Sequence, residues 1–324
     1  MKRAIHYTFR MLIITADDFG FSPSRNEAIL AAALRGRLSA ASLMVNMPYA
    51  EEACEQVRIQ APKLGIGLHF TLTSGSSLAP PEEVPLLVDK LGMFKQGFLS
   101  LRFRVGNREG KRNEALLRQI RVEFEAQVRR MSELQKKFAL RVDHMDSHQH
   151  IHAIRPIWNI LAEEARNQKL VLRMPREIPT GPFTGLLPSP VGRLKKGILD
   201  SCTRGIEQPV GYFGVVESGR MGPAAWKKIL QIVDQQKDRV FEVNVHPGML
   251  SGKEADAEAV LCSAADHRFH RDPWRHREFD TLLEPSFRED LKALGLFPLA
   301  TFRDVAPSPA SPAEPPRPDY DRAE

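Results

Sequence analysis

The sequence predicts an α/β fold on a parallel sheet, arranged either as a barrel or as a doubly wound layer. Short apolar runs alternate with amphipathic helical patterns along the chain, the rhythm that parallel strands and helical crossovers impose. The 324 residues, 42% hydrophobic and 27% charged, are enough for one large core. No GxGxxG follows the first strand and no GxxxxGK[ST] occurs, so the usual nucleotide-binding layers are excluded.

The first strand is the apolar run MLIITA at 11–16. It is too short for a signal-sequence core and runs straight into Asp17 and Asp18. Residues 1–10 read as an N-terminal extension. Ser24 and Glu27 form a capping-box pattern opening a helix that Gly36 closes. A strand over 40–46, a helix bounded by Pro48 and Pro62, and a strand over 64–72 follow. Residues 73–112 form a Gly-, Pro- and Ser-rich connection, long enough to be a lid or binding loop. The helix over 113–138 is rich in Arg and Lys. Glu114, Glu123, Glu125 and Glu133 mark it as a solvated face, so no nucleic-acid partner is expected. Beyond it lie a strand ending in the histidine-rich segment, a helix at 154–168, a strand at 170–174 and a proline-rich loop at 174–192. A strand near 212–217, a helix at 223–236, a strand at 239–248 and a helix at 276–294 complete the domain, 11–305. Residues 306–324 are Pro-rich and polar, which predicts a disordered tail.

The stretch VDHMDSHQHIH at 142–152 places His144, Asp146, His148, His150 and His152 in strict alternation. In a strand, all five would share one face, which must then be wet, paired or wrapped around an ion. If the strand instead ends near Ser147, the later histidines fan out around a site. Other predicted strands also end in chemistry: Asp17-Asp18 on the first, His69 on the third, and His246 before Pro247-Gly248. In α/β barrels the loops at that one end build the active site. An Asp with two His gives a three-ligand metal site with open positions. A second Asp then serves as general base and a further His as acid, which suits hydrolysis of an amide or ester.

In order, ITADDFG, GLHFTLTSG, HMDSHQHIH and VNVHPG resemble the YdjC-like family, over about Met11 to Val305. That family contains the ChbG-type chitooligosaccharide deacetylases and the HpnK-type hopanoid-biosynthesis deacetylases. The resemblance implies a distorted (β/α) barrel of the polysaccharide-deacetylase type, in a single domain. It implies removal of an acetyl group from an N-acetylated sugar or glycolipid with one divalent metal ion, Mg²⁺ or Zn²⁺. Carried over by motif, Asp18, His69 and His148 are the metal ligands and Asp17 the base. His246 is the acid or transition-state stabiliser. Asp146 and His150 fall in the second shell or face the sugar. His152, four residues after His148, is a reserve ligand. Arg173 and Arg176 either meet an anionic sugar or pair with local carboxylates. The stretch at 251–279 is longer than the resemblance leads one to expect, and reads as a solvated insertion rather than a lid.

The net charge of +6 is interleaved along the chain and selects no partner. Cys54, Cys202 and Cys262 form no framework, which suits a reducing cytoplasm, and no apolar run approaches a membrane span. A homodimer is compatible with the sequence, but nothing in it fixes one. The rival functions are a metal-dependent hydrolase of another acyl or phosphodiester bond, and a sugar-binding barrel without catalysis.

Overall fold

The computed structural model describes residues 10–106, 111–178, 190–236, 239–249 and 264–305. The expected extension (apart from residue 10), most of the 174–192 loop, residues 251–263 of the expected insertion and the expected tail lie outside the described residues. Among the described residues, seven strands form one parallel sheet: β1 (Met11–Phe19), β2 (Ala40–Leu43), β3 (Gly65–Phe70), β4 (Arg141–Ser147), β5 (Val171–Leu172), β6 (Val210–Phe213) and β7 (Val240–Val245). Their spatial order is β5-β4-β3-β2-β1-β7-β6. The segment after β5 makes one parallel bridge, Glu177 to Tyr212, which joins the two sheet edges. The result is the expected distorted barrel, a curled sheet closed by a thin seam.

Helices α1 (Pro23–Leu34), α2 (Ala50–Gln60), α3 (Phe98–Gly106), α4 (Lys111–Phe138), α5 (Arg155–Gln168), α6 (Pro190–Cys202), α7 (Pro223–Gln235), α8 (Ala264–His270), α9 (Trp274–Leu283) and α10 (Pro285–Ala293) accompany the strands. Outward-facing strand residues such as Leu12, Ile14, Leu68, Phe241 and Val243 form the main core. Burying each large aliphatic side chain there contributes roughly 2–3 kcal/mol. Among the described residues no helix is long and apolar enough to cross a membrane.

Several local expectations change. Ser22, not Ser24, is the N-cap of α1, and no side-chain cap bond forms. The connection at 73–112 contains α3, and the expected last helix is two helices, α9 and α10, broken at Glu284-Pro285. Glu123 of α4 is buried rather than solvated and accepts the backbone N–H groups of Leu78 and Ala79. The helix thus pins the start of the 73–97 loop. Glu114, Glu125 and Glu133 are exposed as expected.

The inner face of the barrel is graded from apolar to charged. Ile13, Ala40, Val171, Val210 and Val240, one from each of five strands, close one end together with Phe302 and Val305. Stepping by two along β1 leads from Ile13 to Thr15 to Asp17; along β7 it leads from Val240 to Glu242, Asn244 and His246. All of these polar residues are buried. Along β3 the inward positions are Gly67 and His69. A Cβ on Gly67 would lie 2.3 Å from the His144 ring, so glycine there makes room for a histidine on β4.

Candidate metal centre

The C-terminal strand ends bring Asp18, His69 and His148 together, with one donor atom from each within 4.8 Å of the others. Two backbone irregularities make this possible. The register of β1 against β2 shifts between Ala16 and Phe19, and Asp18 has φ 65. Neighbours on a regular strand point to opposite faces; the bulge lets both Asp17 and Asp18 reach the same site. In the histidine segment the strand stops at Ser147 and a 3₁₀ turn spans His148–Ala153, with left-handed φ at Gln149 and His150. The histidines therefore fan out instead of queuing along one face.

His69 is oriented from behind. Its Nδ1 lies 2.6 Å from Asp146 Oδ1, which makes Nδ1–H the donor and aims Nε2 at the site, where a bound ion would take the place of a proton. That Nε2 is 3.6 Å from Asp18 Oδ1 and 3.9 Å from Asp17 Oδ2. His148 Nδ1 is 3.0 Å from Asp18 Oδ1. Two buried atoms, His69 Nε2 and Asp18 Oδ2, have no hydrogen-bond partner. Burial works to lower the proton affinity of His69, but Asp146 and then Asp17 outweigh it and push the pKa up to about 10. Burial works to raise the Asp18 pKa; His148 and His69 prevail and hold it well below the carboxylate range. Three buried carboxylates, Asp17, Asp146 and Glu242, share the buried guanidinium of Arg173, while Asp18 faces His69 and His148. A divalent cation fits this set: it supplies the missing positive charge, and the two bare atoms are donors of the right kind.

Asp17, His69 and Asp146 also converge. Arg173, however, already grips that carboxylate pair. Its Nη1 and Nη2 donate to the two oxygens of Asp17 at 2.8 and 2.9 Å, its Nε donates to Glu242 at 2.8 Å, and Nη2 lies 2.8 Å from Asp146 Oδ2. Ser42 donates to the same Asp146 oxygen at 2.7 Å. Arg173 therefore takes the second of its two expected roles, pairing with carboxylates. Arg176 does not join the site: its guanidinium donates to Gln208 and to the carbonyls of Thr203 and Ile206.

His152 is also turned away. Its Nε2–H donates to the Arg173 carbonyl at 3.0 Å and its Nδ1 accepts from Ser147 Oγ at 2.5 Å. With both nitrogens engaged, it has no lone pair to offer an ion. His150 and His246 line the cavity beside Asp17, His69 and His148. His246 Nε2 is 4.0 Å from Asp17 Oδ2, and its backbone N–H is held by Glu278 at 2.6 Å. Burial keeps the pKa of both His150 and His246 well below the imidazole range, so both are neutral.

The cavity measures about 500 Å³ and its upper walls are Phe98, Leu99, Val191, Leu194, Ile198, Leu199 and Phe269. Sequence reasoning missed Ser42, Glu242 and Glu278, and also α6. The polar residues look ordinary in isolation, because their partners lie on other strands. A signal for α6 was present: Val191, Leu194, Ile198 and Leu199 follow helical spacing. The part of the expected insertion that is described is no solvated appendage: Phe269 and Glu278 both contact His246.

The profile of the YdjC-like protein family matches residues 11–293. A carbohydrate deacetylase of Thermoanaerobacter pseudethanolicus is 36% identical over 51% of this chain and 60% of its own length. A chitooligosaccharide deacetylase of Proteus mirabilis is 29% identical over 74% of this chain and 82% of its own. A carbohydrate deacetylase of Enterococcus faecalis is 29% identical over 92% and 98%. The match thus spans three fifths of the first relative and nearly all of the last. A crystal structure from Enterococcus faecalis, provisionally described as a cellobiose-phosphate cleavage protein, aligns with a TM-score of 0.65 at 26% identity, over 93% of this chain and 100% of that one.

Proposed function

The chain belongs to the YdjC-like protein family, and from that premise we propose that it is a metal-dependent carbohydrate deacetylase, releasing acetate from an N-acetylated sugar. The observation that carries the reading is the convergence of Asp18, His69 and His148 beside Asp17 and His246 at the floor of one cavity. Asp18, His69 and His148 would hold the ion, Mg²⁺ or Zn²⁺. When bound there, a divalent ion polarises the scissile carbonyl and acidifies water.

The chain's own residues supply the rest. Asp17 accepts the proton of the attacking water; the two hydrogen bonds from Arg173 fix the carboxylate plane for that transfer. A C–O bond forms, the C–N bond breaks, and the proton on Asp17 passes to the leaving amine. His246 enters neutral, so it suits hydrogen-bond donation to charge developing in the tetrahedral state better than delivery of a proton it does not yet carry. Glu278 and Phe269 hold it in place.

The cavity rim favours a substrate with an apolar aglycone. Leu99 of α3 and Val191 and Leu194 of α6 line the cavity and are all more than half exposed, an unusual display for large aliphatic side chains beside a polar floor. An acetylated glycolipid places its sugar on that floor and its chain against the rim. The cysteines Cys54 and Cys202 are free, which suits a cytoplasmic protein.

The test is acetate release from a panel of N-acetylated sugars, with and without alkyl aglycones. The protein is first stripped by chelator and then resupplied with Mg²⁺, Zn²⁺, Mn²⁺ or Co²⁺. Metal-restored acetate, lost in His69→Ala, is the expected result. Release of phosphate or another acid, or silence with metal bound, would sink the assignment. Leu194→Asp should weaken turnover of the alkyl glycosides alone.

A further inference from the structure

A histidine outside every family motif read from the sequence reaches Asp18. His270, the last residue of α8, has its Nδ1 3.9 Å from Asp18 Oδ2, and both side chains are fully buried. The other carboxylate oxygen of Asp18 already faces His148 and His69, while Oδ2 has no hydrogen-bond partner. A separation of 3.9 Å is too long for a direct hydrogen bond. It is short enough for one water to bridge the two side chains.

The ring is held in this attitude from several sides. Its face stacks on Phe21 with centroids 4.0 Å apart. The ring of Phe269 meets it edge-on at 5.6 Å, and the His270 carbonyl accepts a hydrogen bond from Arg25 at 2.8 Å. Phe21 stands three residues beyond Asp18, so the end of β1 supplies both the carboxylate and the platform for the imidazole that faces it. His270 also lies nearly parallel to His148, with centroids 6.2 Å apart.

We propose that His270 is a positioning residue of the metal centre, fixing Asp18 through its second carboxylate oxygen. This rests on the reading of Asp18, His69 and His148 as a metal site. The stretch expected to be a solvated insertion then completes the site, and metal affinity depends on residues far beyond the histidine segment.

The test uses the full chain and metal alone. Zn²⁺ and Co²⁺ affinities are measured by competition with a chromophoric chelator for the wild type, His270→Phe and His270→Gln. Phenylalanine keeps the stack on Phe21 and removes both ring nitrogens. The expected result is a metal affinity lowered about 10–100-fold in His270→Phe, partly restored in His270→Gln, with melting in chelator unchanged. His270→Phe binding metal as tightly as the wild type would overturn the proposal and leave the three-ligand reading standing. A wild type that binds neither ion would overturn both.

Discussion

Two clusters in this molecule have the same ingredients and opposite energetics. On the surface, Glu51 of α2 pairs with Arg130 at 2.8 Å and with Lys137, both on α4. In the barrel, Arg173 pairs with Asp17, Asp146 and Glu242. The surface carboxylate is 43% exposed and its lysine partner 58%; in the barrel the guanidinium is fully buried and its partners nearly so. Water screens the first cluster and compensates any lost partner. Nothing screens the second, so each charge there depends on the others, and the excess of carboxylate calls for a further cation. An ion pair on α4 helps hold two helices together; the same chemistry inside the barrel makes a site.

Breaking the buried cluster gives the largest expected effect. Arg173→Met strands Asp17, Asp146 and Glu242 without their counter-charge, and should cost about 3–5 kcal/mol in denaturant unfolding. Wild-type stability in this variant would mean that the carboxylates are not charged together. Asp146→Asn sharpens the comparison by removing one charge while keeping shape. It weakens the hold on the His69 tautomer, so metal affinity should fall about 10–100-fold by chelator competition, with less effect on stability than Arg173→Met.

A third prediction uses acid. Burial lowers the pKa of His152 to about 3, against Asp146, which favours the charged form. The unfolded value is near 6.5. The neutral ring therefore stabilises the fold above that pH, and the contribution is lost as pH falls from about 6.5 toward 3. Stability should drop by up to about 1.4 kcal/mol per pH unit in that window, and less steeply in His152→Gln. Equal slopes would show that His152 is charged in the folded state or contributes nothing. The smallest effect belongs to the surface: Glu51→Ala should leave the melting temperature essentially unchanged, and a large drop would mean that water does not screen the surface cluster.

Much of this was legible in the residues. The runs at 11–16, 64–72 and 239–248 announced buried strands, and the polar residues ending them announced a polar rim. What stayed hidden depended on pairing between strands. Glu242 looks like an ordinary charge in VFEVNV until Arg173, just after β5, meets it. Arg173 itself read as facing either substrate or carboxylate, because a lone arginine after a strand carries no mark of its surroundings. His152 kept ligand spacing yet turned away, since the 3₁₀ turn after Ser147 breaks the strand's alternation. The loop at 73–112 showed its composition but not that the buried Glu123 would pin it.

The left-handed turn at Asp18 has a consequence for anyone altering the site. With φ 65, the position penalises alanine and excludes β-branched residues by backbone sterics alone, before any question of charge. Any effect of Asp18→Ala on metal binding would therefore mix a missing carboxylate with a reshaped peptide. Asparagine tolerates the same conformation and keeps one oxygen, so Asp18→Asn isolates the charge, while Asp18→Gly removes the carboxylate without straining the turn.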